Sequence, residues 1–164
     1  MSIATPERHG AASLGRGARV EWSLDPGDTA SVPDLRHRIV GCLRALAAPG
    51  SDLTDAEIVV GELLSNALAH AGGPTWVSLR WDGTHPMLSL ADVGPELAHA
   101  LGGGRLTTAP DRTLRAELPT DPLADGGRGL YLITTLARDV AVAPRATGGS
   151  VLSVTLDLRR PVEP

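Results

Sequence analysis

Three polar side chains stand out in the otherwise apolar stretch VVGELLSNALAHAGG, at residues 59–73. Glu62, Asn66 and His70 follow one another at steps of four, which stacks them along one stripe of an α-helix. A polar stripe of this kind either faces solvent or faces a polar ligand. The spacing alone leaves both interpretations open, so the neighbouring motifs must decide between them.

A second candidate is the aspartate in LADVGPE, at residues 90–96. Asp92 ends a strand-like run, and an aspartate there could simply bond its own turn. In the functional interpretation its carboxylate accepts a hydrogen bond from an exocyclic amine, while Gly94 leaves room for a flat ring. That arrangement would select adenine over guanine.

A third candidate is GGRGLYL, at residues 126–132, where glycines open a predicted helix. Free N–H groups and the positive end of the helix dipole make such a start suitable for an anion, although a plain turn into a helix would look the same. Arg128 could contact phosphate or be an exposed arginine. The motif is not a Walker A loop, because the chain contains no lysine.

The elements that must position these residues follow from periodicity and turn signals. Strands are predicted at RVEWSL (19–24), TWVSLRW (75–81), PMLSLAD (86–92), DVAVAP (139–144) and SVLSVTLDL (150–158). The second and third are predicted to form a hairpin, and the last two are joined by the tight turn RATGG. Helices are predicted over residues 31–47, 51–71 and 128–137. This order favours an α+β fold with helices on one face of a largely antiparallel sheet.

The second helix has two distinct sides on a helical wheel. Glu62, Asn66, Ala69 and His70 fall in one sector, and an apolar set lies opposite. A helix lying on a sheet would bury the apolar set, which consists of Val60, Leu63, Leu64, Ala67 and Ala71.

The chain consists of one predicted domain with a short segment on either side. Residues 1–18 are small and polar and are interpreted as a flexible arm, the domain spans residues 19–158, and residues 159–164 form a solvated tail. Within the domain, residues 95–126 lose the pattern of either helix or strand. A stretch this long without pattern predicts a functional lid.

Composition excludes several classes of protein. A net charge of -4, with scattered arginines and 2% aromatic residues, argues against direct binding of nucleic acid. No apolar run suits a signal peptide or a membrane span, so a cytoplasmic location is expected. The single cysteine, Cys42, lies in an apolar helical pattern and is predicted to be a buried thiol.

ELLSNALAH, LADVGPE and GGRGLYL, in this order, resemble the N box and two glycine boxes of the GHKL (histidine kinase-like) ATPase superfamily. The sequence is most similar to the short, stand-alone anti-sigma factor serine kinases of bacteria, over residues 19–158. The resemblance implies the Bergerat fold, a two-layer α/β sandwich with a mixed, mostly antiparallel sheet. The polar stripe would then face ATP.

The resemblance also implies roles for individual residues. Glu62 would be the general base, Asn66 would ligate Mg²⁺, and Asp92 would bind the adenine amine. Backbone or side-chain contacts to the nucleotide are implied for a further group, which comprises Gly94, Gly127, Arg128, Gly129, Leu130 and Ser150. His70 could pack under the lid or bond phosphate and is given no catalytic role.

The implied function is a serine kinase that acts on a small anti-sigma factor antagonist and could also sequester a sigma factor. The alternatives are a nucleotide-dependent binding switch without phosphate transfer, and simple ATP hydrolysis. Glu62 favours catalysis, because a pure binding module needs no base. The oligomeric state is left open, with a homodimer as one option.

Three departures from the family pattern bear on these roles. Pro95 and Glu96 stand where a second glycine is expected, Ser150 replaces a frequent lysine, and RDVAVAP lacks a frequent Trp-Gly pair. The first departure affects the hinge of the lid. Nucleotide binding is expected to survive all three, with altered affinity.

Overall fold

The computed structural model describes most of the domain, and its gaps fall mainly between the third and sixth strands. The described residues are 19–25, 27–70, 73–81, 83–93, 106–108, 114–116 and 128–161, with backbone alone for 106–108, 114–116 and residue 70.

Three helices and seven strands make up the described fold. The helices are α1 (Val32–Leu46), α2 (Thr54–His70) and α3 (Arg128–Leu136), and a 3-10 turn (Thr29–Ser31) precedes α1. The strands are β1 (Arg19–Leu24), β2 (Thr75–Arg80), β3 (Met87–Ala91), β4 (Leu106–Thr108), β5 (Leu114–Ala116), β6 (Asp139–Pro144) and β7 (Ser150–Thr155).

Five strands form the main sheet in the order β1-β2-β3-β7-β6, and every neighbouring pair is antiparallel. The two predicted hairpins, β2–β3 and β6–β7, are therefore confirmed. The helices and this sheet form the two layers of an α/β sandwich, which confirms the predicted α+β class. The central pairing of β3 with β7 brings the ends of both strands together.

Register separates the two faces of the sheet. Val77, Leu90 and Leu152 are aligned across β2, β3 and β7 and are buried beneath the helices. The opposite face presents small polar residues, with the Oγ atoms of Ser89 and Ser153 3.1 Å apart. The sheet thus has an apolar face toward the helices and a largely polar one away from them.

The core is aliphatic, as the shortage of aromatic residues predicts. Four residues of the apolar side of α2 are buried as the wheel predicts, namely Val60, Leu63, Leu64 and Ala67, whereas Ala71 lies outside the described residues. Cys42 is also buried, and burial raises the pKa of its thiol, with the nearby Arg38 charge acting in the opposite direction. The predicted buried thiol is confirmed.

Helix α2 begins three residues later than predicted. Asp52 accepts hydrogen bonds from the backbone N–H and the hydroxyl of Thr54, at 2.9 and 2.6 Å, so residues 51–53 approach the helix without joining it. These hydrogen bonds lower the pKa of the Asp52 carboxyl.

Strand β7 ends earlier than predicted, at Thr155, although the apolar alternation continues to Leu158.

The predicted lid, residues 95–126, lies outside the described residues except for the antiparallel pair β4–β5. The predicted arm, residues 1–18, lies outside them entirely. At the other end, the Arg159 carbonyl accepts from the Ala48 N–H at 2.9 Å, and Arg160 Nη2 donates to the Trp81 carbonyl at 2.7 Å. The domain boundary after residue 158 stays a prediction.

Among the residues that the structure describes, no helix combines the length and apolar character needed to cross a bilayer.

Candidate functional site

The polar stripe of α2 faces the start of α3. A Cβ atom placed on Gly129 would lie 2.5 Å from Glu62 Oε2 and 3.2 Å from Asn66 Oδ1. Both side chains are half-buried, so they lie against the first turn of α3 and are not a fully solvated face. The glycine at this position allows the carboxylate and the amide to approach the helix backbone.

The first turn of α3 is suited to a negatively charged ligand. Its leading N–H groups have no partner within the helix, and the helix dipole is positive at this end. No acidic residue of α3 lies in that turn. Arg128 is exposed, whereas the side chain of Leu130 is buried in the core, so Leu130 could meet a ligand only through its backbone.

Asn66 supplies a polar group that the described protein does not use. Its Nδ2 atom is buried and has no hydrogen-bond partner among the described residues. An amide nitrogen donates, so this atom suits an acceptor, and only the side-chain oxygen of Asn66 could ligate a metal. The neighbouring Glu62 supplies carboxylate oxygens, and the Asn66 amide supplies a neutral oxygen. Oxygen donors of this kind fit Mg²⁺, which usually takes few protein ligands and completes its shell with phosphate and water.

Asp92 lies at the end of β3 and is 1% exposed. Its Oδ1 atom accepts a hydrogen bond from the Ser150 N–H at 3.1 Å and from the Ser150 hydroxyl at 3.4 Å. Its Oδ2 atom is buried and accepts none from the described residues. A buried acceptor without a hydrogen bond is costly, so this carboxylate oxygen suits a donor that the described residues do not provide.

Gly149 brings the β6–β7 turn against the end of β3. Its φ of +80° is a left-handed conformation that suits glycine. A Cβ atom here would overlap the Asp92 carbonyl oxygen and lie 2.9 Å from the Cα atom of Val93. Backbone atoms cannot shift as the end of a side chain can. Position 149 therefore requires glycine both for its positive φ and for its close approach to the backbone of Asp92 and Val93.

The structure gathers the described candidates into two groups. Glu62, Asn66 and Gly129 form one, and Asp92 and Ser150 form the other. Gly94 and Gly127 lie outside the described residues, as does the side chain of His70. A cavity of about 330 Å³ lies elsewhere, near the start of α2, and is lined by residues such as Arg36, Arg44 and Glu57.

Sequence patterns did not indicate two residues next to this site. Arg145 Nη1 donates to the Asp92 carbonyl at 2.7 Å, and its guanidinium lies 5.4 Å from the centre of the Trp76 ring. Arg145 belongs to a turn and Trp76 to a strand, so no helical or strand period connects them. Only the position of Arg145 at the start of a glycine-containing turn could have drawn attention to it.

Comparison with known proteins gives a match at the level of the family. The model of the histidine kinase-like ATPase domain matches residues 26–156, which include every residue of both groups. No curated protein matches the chain. Since the family match covers most of the sequence, the chain belongs to the histidine kinase-like ATPase domain family, and this membership supports ATP as its ligand.

Proposed function

We propose that the protein binds ATP with Mg²⁺ and transfers the γ-phosphate to a serine of a small anti-sigma factor antagonist. The observation that carries the proposal is the meeting of Glu62 and Asn66 at the first turn of α3. A base, an oxygen ligand and an anion-binding helix start are the groups that phosphoryl transfer needs.

Adenine recognition is assigned to Asp92. Its Oδ2 atom, which has no partner among the residues that the structure describes, would accept a hydrogen bond from the exocyclic amine of adenine, which removes the cost of the buried acceptor. Guanine presents a carbonyl oxygen at the corresponding position, and two acceptors repel each other. ATP is therefore expected to bind more tightly than GTP.

Phosphate binding is assigned to the first turn of α3. Backbone N–H groups there, together with the exposed Arg128, would face the negative charge of the phosphates. Asn66 would hold Mg²⁺ through its side-chain oxygen. When bound, the ion would neutralise charge on the phosphate oxygens.

Glu62 is assigned the proton transfer. Its carboxylate would take the proton from the serine hydroxyl as the serine oxygen bonds to the γ-phosphorus. The bond from that phosphorus to the β,γ-bridging oxygen breaks, and ADP leaves with the bonding electrons. Glu62 is suited to the task because its carboxylate lies beside the same helix start that would hold the phosphates.

The partner follows from the resemblance to anti-sigma factor kinases. Under this proposal the protein acts in the cytoplasm, where it regulates transcription through the antagonist and could also sequester a sigma factor. Sequestration requires no phosphate transfer, so the two activities are separable by substitution.

The test measures transfer of labelled γ-phosphate to purified antagonist proteins, with nucleotide affinity measured by calorimetry. We expect label on one serine of one antagonist, and none when that serine is replaced by alanine. A protein that binds MgATP and labels no antagonist would instead be a binding switch. Release of labelled phosphate without any acceptor protein would indicate simple ATP hydrolysis.

A further inference from the structure

The side chain of Arg145 spans one end of the main sheet. Arg145 lies just after β6, while the Trp76 ring beneath its guanidinium belongs to β2, two strands beyond β7. On the way its Nη1 atom donates to the Asp92 carbonyl at the end of β3, at 2.7 Å. One side chain thus connects the β6–β7 turn, the end of β3 and the start of β2.

These contacts leave Asp92 little freedom. Its N–H donates to the Ser150 carbonyl at 3.1 Å, its Oδ1 atom accepts from Ser150, and its carbonyl is held between Arg145 and Gly149. Only the Oδ2 atom has no partner among the described residues. Arg145 is therefore placed to fix the backbone that carries the adenine acceptor.

We propose that Arg145, held against Trp76, is a positioning residue for adenine recognition. It fixes the backbone of Asp92, so that the Oδ2 atom stays where it distinguishes adenine from guanine. This inference rests on the proposed nucleotide binding by Asp92. It adds a selectivity role for two residues that do not themselves touch the base.

The chemistry of the pair explains why arginine suits this position. A guanidinium can lie with its face on an aromatic ring while its edge donates a hydrogen bond in the plane. The lysine ammonium is not planar, so it could not lie flat on the Trp76 ring and donate to the Asp92 carbonyl with the same geometry. Trp76 is 43% exposed, which allows it to be replaced without opening the core.

The chain contains a matched control at the other end of β2. Arg160 lies 5.5 Å from the centre of the Trp81 ring and donates to the Trp81 carbonyl at 2.7 Å. Its interactions are of the same type and length as those of Arg145. However, they involve no residue of the Asp92 group, so loss of Arg160 should affect stability without affecting base selectivity.

The experiment compares calorimetric affinities for MgATP and MgGTP in the full-length chain. We expect Arg145→Ala to reduce the preference for ATP over GTP by about 5- to 10-fold, which corresponds to the loss of one ordinary hydrogen bond. Arg145→Lys should lie between this variant and the wild type. Arg160→Ala should change the preference by less than about 2-fold, since it removes no contact to Asp92.

Two substitutions of Trp76 test its support of Arg145. Trp76→Ala should reduce the preference for ATP by about 3-fold, and Trp76→Phe should keep most of the wild-type preference, because a phenyl ring still offers a face to the guanidinium.

In the wild type, the indole N–H signal of Trp76 in an NMR spectrum should shift when ADP binds. In Arg145→Ala that shift should be lost.

The outcomes separate this inference from the proposed function. If the wild type prefers ATP and Arg145→Ala keeps the full preference, the positioning role is wrong and nucleotide binding stands. The positioning role would also be wrong if Arg145→Ala lost ATP and GTP affinity to the same extent, as Arg160→Ala would if it only lowered stability. If the wild type binds neither nucleotide, the proposed function fails and this inference fails with it.

Discussion

Glu62 and Asn66 are held by two helices, whereas Asp92 is held by the ends of strands. At the helical end the polar groups are half-buried and lie against Gly129. At the strand end, Asp92 is 1% exposed, and hydrogen bonds to Ser150 and Arg145 fix both its backbone and its carboxylate. Under the proposed function, the helical end would supply the groups for phosphate transfer, and the strand end would supply one atom for recognition of the base.

Glycine serves the two ends in different ways. A Cβ atom at position 129 would meet the ends of side chains, which can shift, whereas one at position 149 would meet the backbone of Asp92 and Val93, which cannot. The same small residue thus provides room at one end and rigidity at the other. Substitutions at each end can test these two roles of glycine and of the neighbouring polar residues separately.

The largest expected effect is on phosphate transfer at the helical end. Glu62→Gln preserves shape but cannot take a proton, so transfer should fall by about 10²- to 10⁴-fold while ATP affinity persists. Two quantities are measured for each variant: the rate of labelled phosphate transfer, and the affinity for ATP by calorimetry. Sigma factor sequestration, if present, should be unaffected.

A neighbouring carboxylate on α2 provides the control for Glu62. Glu57 forms a surface ion pair with Arg44 at 2.8 Å and lies away from Gly129. Glu57→Gln should retain wild-type transfer, because loss of an exposed ion pair changes stability by about 1 kcal/mol or less. Undiminished transfer in Glu62→Gln would exclude Glu62 as the base.

The next effect concerns Asn66, the proposed metal ligand. Asn66→Ala should weaken Mg²⁺-dependent nucleotide affinity by about 10- to 100-fold, and transfer should fall with it. The sequence contains no other asparagine and no glutamine, so the side-chain amide signals in a nitrogen-15 NMR spectrum belong to Asn66 alone. These signals should shift with MgATP and much less with ATP in a chelator. Identical spectra in the two conditions would contradict metal ligation by Asn66.

A smaller effect tests rigidity at the strand end. Gly148 and Gly149 both have positive φ, +87° and +80°, but only Gly149 lies against Asp92. Alanine at either position costs about 1–2 kcal/mol for the left-handed backbone, and Gly149→Ala adds the overlap. Thermal unfolding should therefore show a larger loss of Tm for Gly149→Ala, by about 2–4 °C or more. Equal Tm values would show that the contact with Asp92 is dispensable.

The smallest effect is on base selectivity at Asp92. Asp92→Asn replaces a carboxylate with an amide that can also donate, so ATP affinity should fall by about 10-fold and the preference over GTP should narrow. Calorimetry with both nucleotides measures this change. Asp157→Asn, which alters an exposed carboxylate away from Asp92, is the control. Equal wild-type affinities for ATP and GTP would refute the adenine assignment.

Local patterns predicted the helices, the two hairpins and the burial of one side of α2, because each depends on residues near one another in sequence. They also predicted that Glu62 and Asn66 share a stripe. The partners of that stripe depend on tertiary packing, so the contact with Gly129 could only be expected from the family resemblance. Arg145 and Trp76 are far apart in sequence and come into contact only through the pairing of the strands between them, so no local pattern predicts their contact.

The pairing of β3 with β7 has a consequence for the length of the chain between them. Asp92 and Ser150 are 58 positions apart, and their contact closes a loop of that length. Closure entropy grows only with the logarithm of length, so removing residues 95–126, which would roughly halve the loop, would lower the cost by about 0.6 kcal/mol. The entropy of chain closure therefore places little constraint on the length of this segment.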